Sequence, residues 1–173
     1  NVDSLWTRTV GGSGKVVVDS VQQATDGGYI ITGCTNSYGK GENDLWLIKN
    51  DNNGDSLWTK TFGGGHHDRG YSVQQTIDGG YIISGYTNIL GNSKEDVWLI
   101  KTDFNGNQEW NQTFGEENND NRGRSVQQVI NGGYIIAGYT QSYAIGGSVD
   151  ALLIKIECEE GILGDLNSDG SLN

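Results

Sequence analysis

The feature that most constrains this chain is a tandem repeat with a period of 52 residues. Trp6 returns at that offset as Trp58 and again as Trp110, although the residues around Trp110 match only weakly. A unit of this length cannot bury its apolar surface alone, so neighbouring repeats are expected to stack. Four landmarks keep their order in all three repeats: Ser-Leu-Trp-Thr, Val-Gln-Gln, Asp-Gly-Gly-Tyr-Ile-Ile and Asp-Leu-Trp-Leu-Ile-Lys, or close variants of them.

Each repeat contains four short runs that favour β-strands. In the second repeat these runs cover residues 57–62, 71–77, 80–87 and 96–102, and they are rich in β-branched and aromatic residues. Asp78-Gly79-Gly80 separates two of the runs and is typical of a tight hairpin, because such turns require positive φ angles. No helical stripe of useful length appears. Each repeat is therefore predicted to form one up-and-down antiparallel sheet.

Successive apolar residues indicate that both faces of each sheet are covered. Trp98-Leu99-Ile100 is an example, since neighbouring residues in a strand point to opposite faces. Radial stacking of four-stranded sheets is the β-propeller; a linear β-solenoid is the alternative, although its rungs are usually shorter. We therefore predict an all-β fold of three four-stranded antiparallel propeller blades, covering residues 1–52, 53–104 and 105–156 as a partial ring.

Three blades do not close a ring, and the start of the sequence bears on this. Asn1-Val2-Asp3 aligns with Asn53-Gly54-Asp55, the middle of a turn between repeats, which indicates that the sequence is a piece of a longer chain. The alternative is a homodimer that closes a six-bladed ring. Either arrangement would cover the apolar faces that an open end exposes.

Composition excludes several kinds of partner. The net charge of −11 argues against nucleic acid and against anionic membrane surfaces. No apolar run approaches the roughly 18 residues of a membrane helix, so no membrane insertion is expected. Two cysteines are too few for a disulfide framework. Cys34 stands where the other repeats have Tyr and is predicted to be buried, whereas Cys158 lies outside the repeats.

Several groups of recurring or clustered side chains are predicted to have structural rather than chemical roles. His66-His67-Asp68 could suggest a metal site, but adjacent histidines seldom point the same way, so a solvated loop is predicted. The recurring acids Asp44, Asp96 and Asp150 are predicted to fix turns. The recurring tryptophans are predicted to pack between sheets rather than stack on sugars. Two arginines are predicted to order loops against nearby carboxylates, and these are Arg69 and Arg122.

The repeat also resembles a known group of proteins. Asp-Gly-Gly-Tyr-Ile-Ile-Ser-Gly-Tyr-Thr followed by Asp-Val-Trp-Leu-Ile-Lys-Thr-Asp is similar to the propeller repeats of secreted bacterial and archaeal surface proteins, which resemble the quinoprotein-like propeller superfamily. The resemblance covers nearly all of residues 4–156 and implies an extracellular location. Quinoprotein dehydrogenases bind a quinone cofactor and calcium, but no positions of this sequence match that site, so neither is carried over.

Residues 157–173 form a linker and a segment that resembles the start of a dockerin-type calcium repeat. Hard calcium prefers six to eight oxygen ligands, and such loops supply them from positions 1, 3, 5, 7 and 9. A glycine stands at position 6, and the acid at position 12 would be residue 176, beyond this sequence. The resemblance implies a calcium cofactor in an extended chain and a cohesin-like partner at the C-terminus. The metal candidates are Asp165, Asn167, Asp169, Ser171 and Asn173.

These observations favour a non-catalytic extracellular module that binds or displays a protein or glycan ligand, attached to the dockerin-like anchor. The alternative is an accessory module of a secreted polysaccharide-degrading enzyme whose catalytic domain lies outside this chain. A quinoprotein-like oxidoreductase is a third hypothesis. The sequence contains no Gly-x-Ser-x-Gly nucleophile elbow, and Gly12-Ser13-Gly14-Lys15 fails as a phosphate loop because Val16 replaces its Ser or Thr.

Overall fold

A computed structural model describes residues 5–88, 94–116, 119–130, 132–142 and 148–157. Within these ranges the chain forms eleven β-strands and no helix. The strands make three antiparallel sheets of four, four and three strands. The expected all-β, antiparallel architecture is therefore confirmed. The cysteine and calcium-loop candidates at 158 and 165–173 lie outside the described residues.

Each sheet is an up-and-down meander in which strands that are consecutive in sequence are also neighbours in space. The first sheet contains β1 Val16–Gln23, β2 Tyr29–Thr35, β3 Asp44–Asn50 and β4 Ser56–Phe62. The second contains β5 Asp68–Gln75, β6 Tyr81–Thr87, β7 Asp96–Thr102 and β8 Gln108–Phe114. The third contains β9 Asn121–Gln128, β10 Tyr134–Thr140 and β11 Asp150–Ile156.

The predicted Asp-Gly-Gly hairpins are confirmed. Gly27 has a φ of 84° and Gly79 a φ of 86°, values that glycine adopts without a Cβ penalty. The Asp78 side chain accepts the Gly80 amide at 3.0 Å, which closes an Asx turn. A buried lysine on the third strand completes the corner: Lys101 Nζ lies 2.8 Å from the carboxylate of Asp78. The landmark Asp and the landmark Lys are therefore one structural unit.

The sheets and the sequence repeats are out of phase by one strand. Residues 57–62, which open the second repeat, belong to β4 and pair with β3 of the first sheet. A short turn around Gly54, which has a φ of 81°, joins β3 to β4. The next connection, residues 63–67, carries the chain to the following sheet. Because of this offset the third sheet has three strands in the described part of the chain.

Two apolar cores lie between the sheets, which explains why the strands are apolar on both faces. One core joins the first sheet to the second: Ile30, Leu45, Leu47, Val73, Tyr81, Ile83, Trp98 and Ile100. The other joins the second sheet to the third: Ile82, Val97, Leu99, Val126, Tyr134 and Ile136. At about 25 cal/mol per Å² of buried apolar surface, these layers supply most of the driving force for folding.

The Val-Gln-Gln landmark connects the first strands of neighbouring sheets. Gln22 Oε1 accepts the backbone N–H of Gln75 at 2.6 Å, and Gln74 Oε1 accepts that of Gln128 at 2.7 Å. In the opposite direction, Gln75 Oε1 accepts the amide of Thr25 at 2.8 Å. Side-chain amides therefore satisfy edge N–H groups that no neighbouring strand reaches.

A glycine in the middle of each second strand allows a close approach of the first strand in the same sheet. A Cβ atom at Gly85 would lie 1.8 Å from the backbone oxygen of Arg69, and Gly33 and Gly138 meet first-strand oxygens in the same way. We expect Gly85→Ala to lower the free energy of unfolding by about 3 kcal/mol, because backbone atoms must move. Gly65→Ala is the matched control, since nothing lies within 4 Å of its added methyl group.

Denaturant unfolding measures both variants. The control should change the free energy of unfolding by less than about 0.5 kcal/mol, as surface substitutions usually do. Equal effects at the two positions would contradict the close approach at Gly85.

Candidate functional site

Three β-bulges stand at equivalent places in the first strands β1, β5 and β9. The ladder register shifts there and leaves Asp19, Tyr71 and Arg124 without a direct cross-strand partner. A bulge re-aims its side chain, and bulges are frequent beside functional sites. The Ser-Val-Gln-Gln that follows each bulge is the same in all three sheets, whereas the bulged residue differs. The bulges therefore carry the variable chemistry of the repeat.

The bulged residues collect arginines and tyrosines into one cluster between the sheets. The Arg124 guanidinium carbon lies 3.9 Å from the ring centroid of Tyr71 and 5.5 Å from that of Tyr139. The Arg122 guanidinium carbon lies 4.8 Å from the ring centroid of Tyr86. Cation–π contacts of this kind hold a guanidinium plane in a fixed orientation. We call this set the Arg–Tyr cluster: Arg69, Tyr71, Tyr86, Arg122, Arg124 and Tyr139.

Two arginines of the cluster are paired with carboxylates. Arg69 donates two hydrogen bonds to Asp19 at 2.9 and 2.7 Å, a bidentate arrangement across the sheets. Arg122 pairs with Glu95 and also donates to the Tyr71 hydroxyl at 3.3 Å. The predicted pairing of Arg69 and Arg122 with carboxylates is therefore confirmed, but the prediction that Arg69 orders a loop is wrong, because Arg69 and Asp19 both lie in strands.

Arg124 is different, because it is exposed and no ion pair joins it to another described residue. Its guanidinium contacts the ring of Tyr71. Burial raises the pKa of Tyr86 to about 12, so this phenol stays protonated at neutral pH. Burial likewise raises the pKa of Tyr71. The cluster thus presents a guanidinium among neutral phenols, which suits a ligand that offers oxygen acceptors.

A second group of polar side chains lies where β3 and β5 begin. Asp44 and Asp68, both buried, converge on Gly63: a Cβ atom there would lie 2.2 Å from Asp44 Oδ1 and 2.5 Å from Asp68 Oδ2. Asp44 Oδ2 accepts the backbone amide of Lys40 at 2.9 Å, so its predicted role in fixing a turn is confirmed. Asp68 accepts hydrogen bonds from Thr87 and from the Gly64 amide.

The next sheet interface has an amide in place of one carboxylate. Asp96 and Asn121 take the positions of Asp44 and Asp68 around Gly115, and Asn121 donates to Asp96. Burial raises the pKa of Asp68, and the charge of Asp44 raises it further, against hydrogen bonds that lower it. Burial raises the pKa of Asp96 as well.

The other residues singled out in the sequence have structural roles, either in loop contacts or in packing. His67 bonds to Asn43 at 2.8 Å through Nδ1 and lies 2.7 Å from Glu42 through Nε2, in the loop ahead of β5. No group of three or more metal-ligating His, Cys, Asp or Glu side chains occurs in the described ranges. Trp58 and Trp110 pack against the two cores, which confirms their predicted place between sheets. Cys34 is buried as a free thiol.

In comparisons with known proteins, no family model and no curated protein matches the chain. The described residues contain no helix long and apolar enough to cross a membrane. Sequence reasoning found Arg69 and Arg122 but missed the tyrosines and Arg124. The available signal was the changing residue ahead of the constant Ser-Val-Gln-Gln.

We expect Asp68→Asn to remove the pH dependence of stability that the Asp68 carboxyl contributes, because an amide does not titrate. The folded-state pKa of Asp68 lies above its ordinary 3.8. The contribution of Asp68 to stability should therefore fall as the pH rises above 3.8, until the folded carboxyl is fully ionised. The variant should lose this part of the pH dependence.

Asn121→Asp is the matched control and should introduce the same pH dependence at the other interface. Chemical unfolding between pH 4 and pH 8 measures both variants. The same pH dependence in the Asp68→Asn variant and the unsubstituted protein would contradict the carboxyl pair.

Proposed function

We propose that the three sheets are adjacent blades of a β-propeller. The support is the repeated geometry: β5 packs against β1 and β9, and each sheet covers the face of the next. Four-stranded antiparallel meanders stacked with their first strands together are the arrangement of this fold. The offset between sheets and repeats is compatible with it, because each chain segment crosses from the last strand of one blade to the first strand of the next.

We infer that the chain is a non-catalytic binding module of a secreted or cell-surface protein, with a protein or glycan ligand. The observation that carries this inference is the Arg–Tyr cluster, where the guanidinium of the exposed residue Arg124 lies over the ring of Tyr71. Arginine on aromatic faces is a preferred combination for recognition of oxygen-rich groups. The other recurring polar groups are used in turns and sheet contacts. An accessory role in a polysaccharide-degrading enzyme would use the same surface.

A test of this function begins with a glycan array that carries neutral and uronate-containing oligosaccharides. For a glycan retained on the array, Arg124→Ala should weaken binding about tenfold or more, since one lost charge-assisted hydrogen bond costs about 1.5–3 kcal/mol. Arg124→Lys should recover little of the affinity, because an ammonium lacks the flat, stacked donor geometry.

Lys40→Ala is the control, since Lys40 is an exposed cation outside the cluster. Titration calorimetry with the retained oligosaccharide measures all three variants. Unchanged affinity in Arg124→Ala would remove the cluster as the binding surface. An array without any retained glycan would favour a protein ligand.

The calcium proposal concerns residues outside the described ranges. Asp165, Asn167 and Asp169 have the spacing of loop positions 1, 3 and 5 in the sequence. In a chain that extends through residue 176 with an acid at that position, we expect calorimetry to show calcium binding, and Asp165→Ala to abolish it. Glu116→Ala removes an exposed acid outside the loop and should leave the heat unchanged. No calcium heat in the extended chain would contradict the dockerin-like assignment and its cohesin-like partner.

A further inference from the structure

The outer face of the first sheet has the same residues as a face that is buried elsewhere in the molecule. Val21, Tyr29 and Ile31 stand at the repeat positions of Val73, Tyr81 and Ile83, which form half of the core between the first two sheets. Val21 is 63% exposed, whereas Val73 is 5% exposed. The first sheet therefore presents a receiving face that no sheet of the described chain covers.

The outer face of the third sheet has the opposite character. Leu153 stands at the repeat position of Leu47 and Leu99, which are fully buried against the next sheet. Leu153 itself is 70% exposed, and its neighbour on this face, Ala151, is also exposed. The third sheet thus presents the surface that inserts into a receiving face.

The two open ends are consequently the two halves of one interface, and the molecule already forms that interface twice. Both internal examples join the inserting face of one sheet to the receiving face of the next. A contact that continues this series needs no new kind of packing. Continuity with the internal interfaces identifies the partner as another sheet of the same repeat.

The segment of residues 5–10 supplies a second, independent observation. It lies 52 positions before residues 57–62 of β4, yet it is not part of any sheet. Trp6 nevertheless contacts Tyr29 at 5.9 Å between ring centroids, as Trp58 contacts Tyr81 at 6.0 Å. The segment therefore lies where a fourth strand would lie, although it pairs with no sheet of the described residues.

The third sheet lacks that strand. In the described part of the chain β11 pairs with β10 alone, whereas the equivalent strands β3 and β7 each pair on both sides. An edge strand with unpaired backbone groups is a template for an added strand. In the described part of the chain, the third sheet can accept one more strand and residues 5–10 can supply one. The two ends are therefore complementary.

We propose that a second copy of this chain docks head to tail, with the third sheet of one chain against the first sheet of the other. Residues 5–10 of the receiving chain then add to β11 of the inserting chain as its fourth strand. The pairing of β3 with β4 sets the expected register: Lys155 opposite Trp6, Leu153 opposite Arg8 and Ala151 opposite Val10. Two such contacts close a pair of chains.

The first measurement is the molar mass of the full chain by sedimentation velocity and light scattering at about 100 μM. We expect a concentration-dependent species of twice the 18.7 kDa chain. Val21→Glu and Leu153→Glu should each weaken association at least tenfold, because each places a charge in both contacts of the pair. Phe104→Glu is the control: Phe104 is 66% exposed in a turn away from both faces.

Mixing the two variants decides the direction of the contact. The Val21→Glu chain keeps an intact inserting face and the Leu153→Glu chain keeps an intact receiving face, so an equimolar mixture should regain one contact and form a heterodimer. If each contact instead joined two identical faces, one of the two variants would associate like the unsubstituted chain, and mixing the variants would not form a heterodimer. That result, or a monomer for the unsubstituted chain, overturns the proposal. All three substituted positions are exposed, and circular dichroism verifies folding.

Strand addition has its own readout. In a Cys158→Ser background, a chain with Arg8→Cys mixed with a chain with Leu153→Cys should form an intermolecular disulfide on mild oxidation. Thr9→Cys in place of Arg8→Cys is the control, since a shift of one residue turns the thiol to the opposite face. Equal cross-linking at positions 8 and 9 would exclude the proposed register.

Discussion

The structure depends on the burial of both faces of each sheet. A sheet with Trp98, Leu99 and Ile100 in succession cannot leave either face in water without exposing large apolar side chains. Stacking satisfies this requirement, and it requires a close approach of the strands. Gly70 allows that approach, since a Cβ atom there would lie 2.3 Å from Thr32 Oγ1 of the neighbouring sheet, and the glutamines of Val-Gln-Gln satisfy the strand edges between sheets. The landmarks that define the repeat are therefore the residues that make stacking possible.

The proposed binding chemistry lies at positions at which the stacked units differ. The bulge in the first strand is constant, but it holds Asp19, Tyr71 and Arg124 in turn. The same is true at the sheet corners, where Asp68 is replaced by Asn121. A rigid repeated frame fixes such positions in space with little cost in stability. Changing the residue then changes the chemistry of one interface without altering the packing of the others.

The repeat, the strand runs and the Asp-Gly-Gly turns could be predicted because each rests on local chemistry. The offset between sheets and repeats could not be predicted. The turn at Gly54 and the crossing at residues 63–67 both contain glycine, so the sequence does not show which of them leads to the next sheet. The Arg–Tyr cluster could not be predicted either. Tyr71 and Arg124 are distant in sequence, and only the bulges direct their side chains together.

The seam between two chains bears on the ligand site as well. Inside the molecule, each bulged residue faces an arginine of the next sheet: Asp19 meets Arg69, and Tyr71 meets Arg122. At a head-to-tail seam Arg124 would face Val17, which occupies that repeat position in the first sheet. A valine neither pairs with the guanidinium nor repels it. Self-association through the outer faces would therefore give Arg124 no carboxylate partner at this repeat position, in contrast to Arg69 with Asp19 inside the molecule.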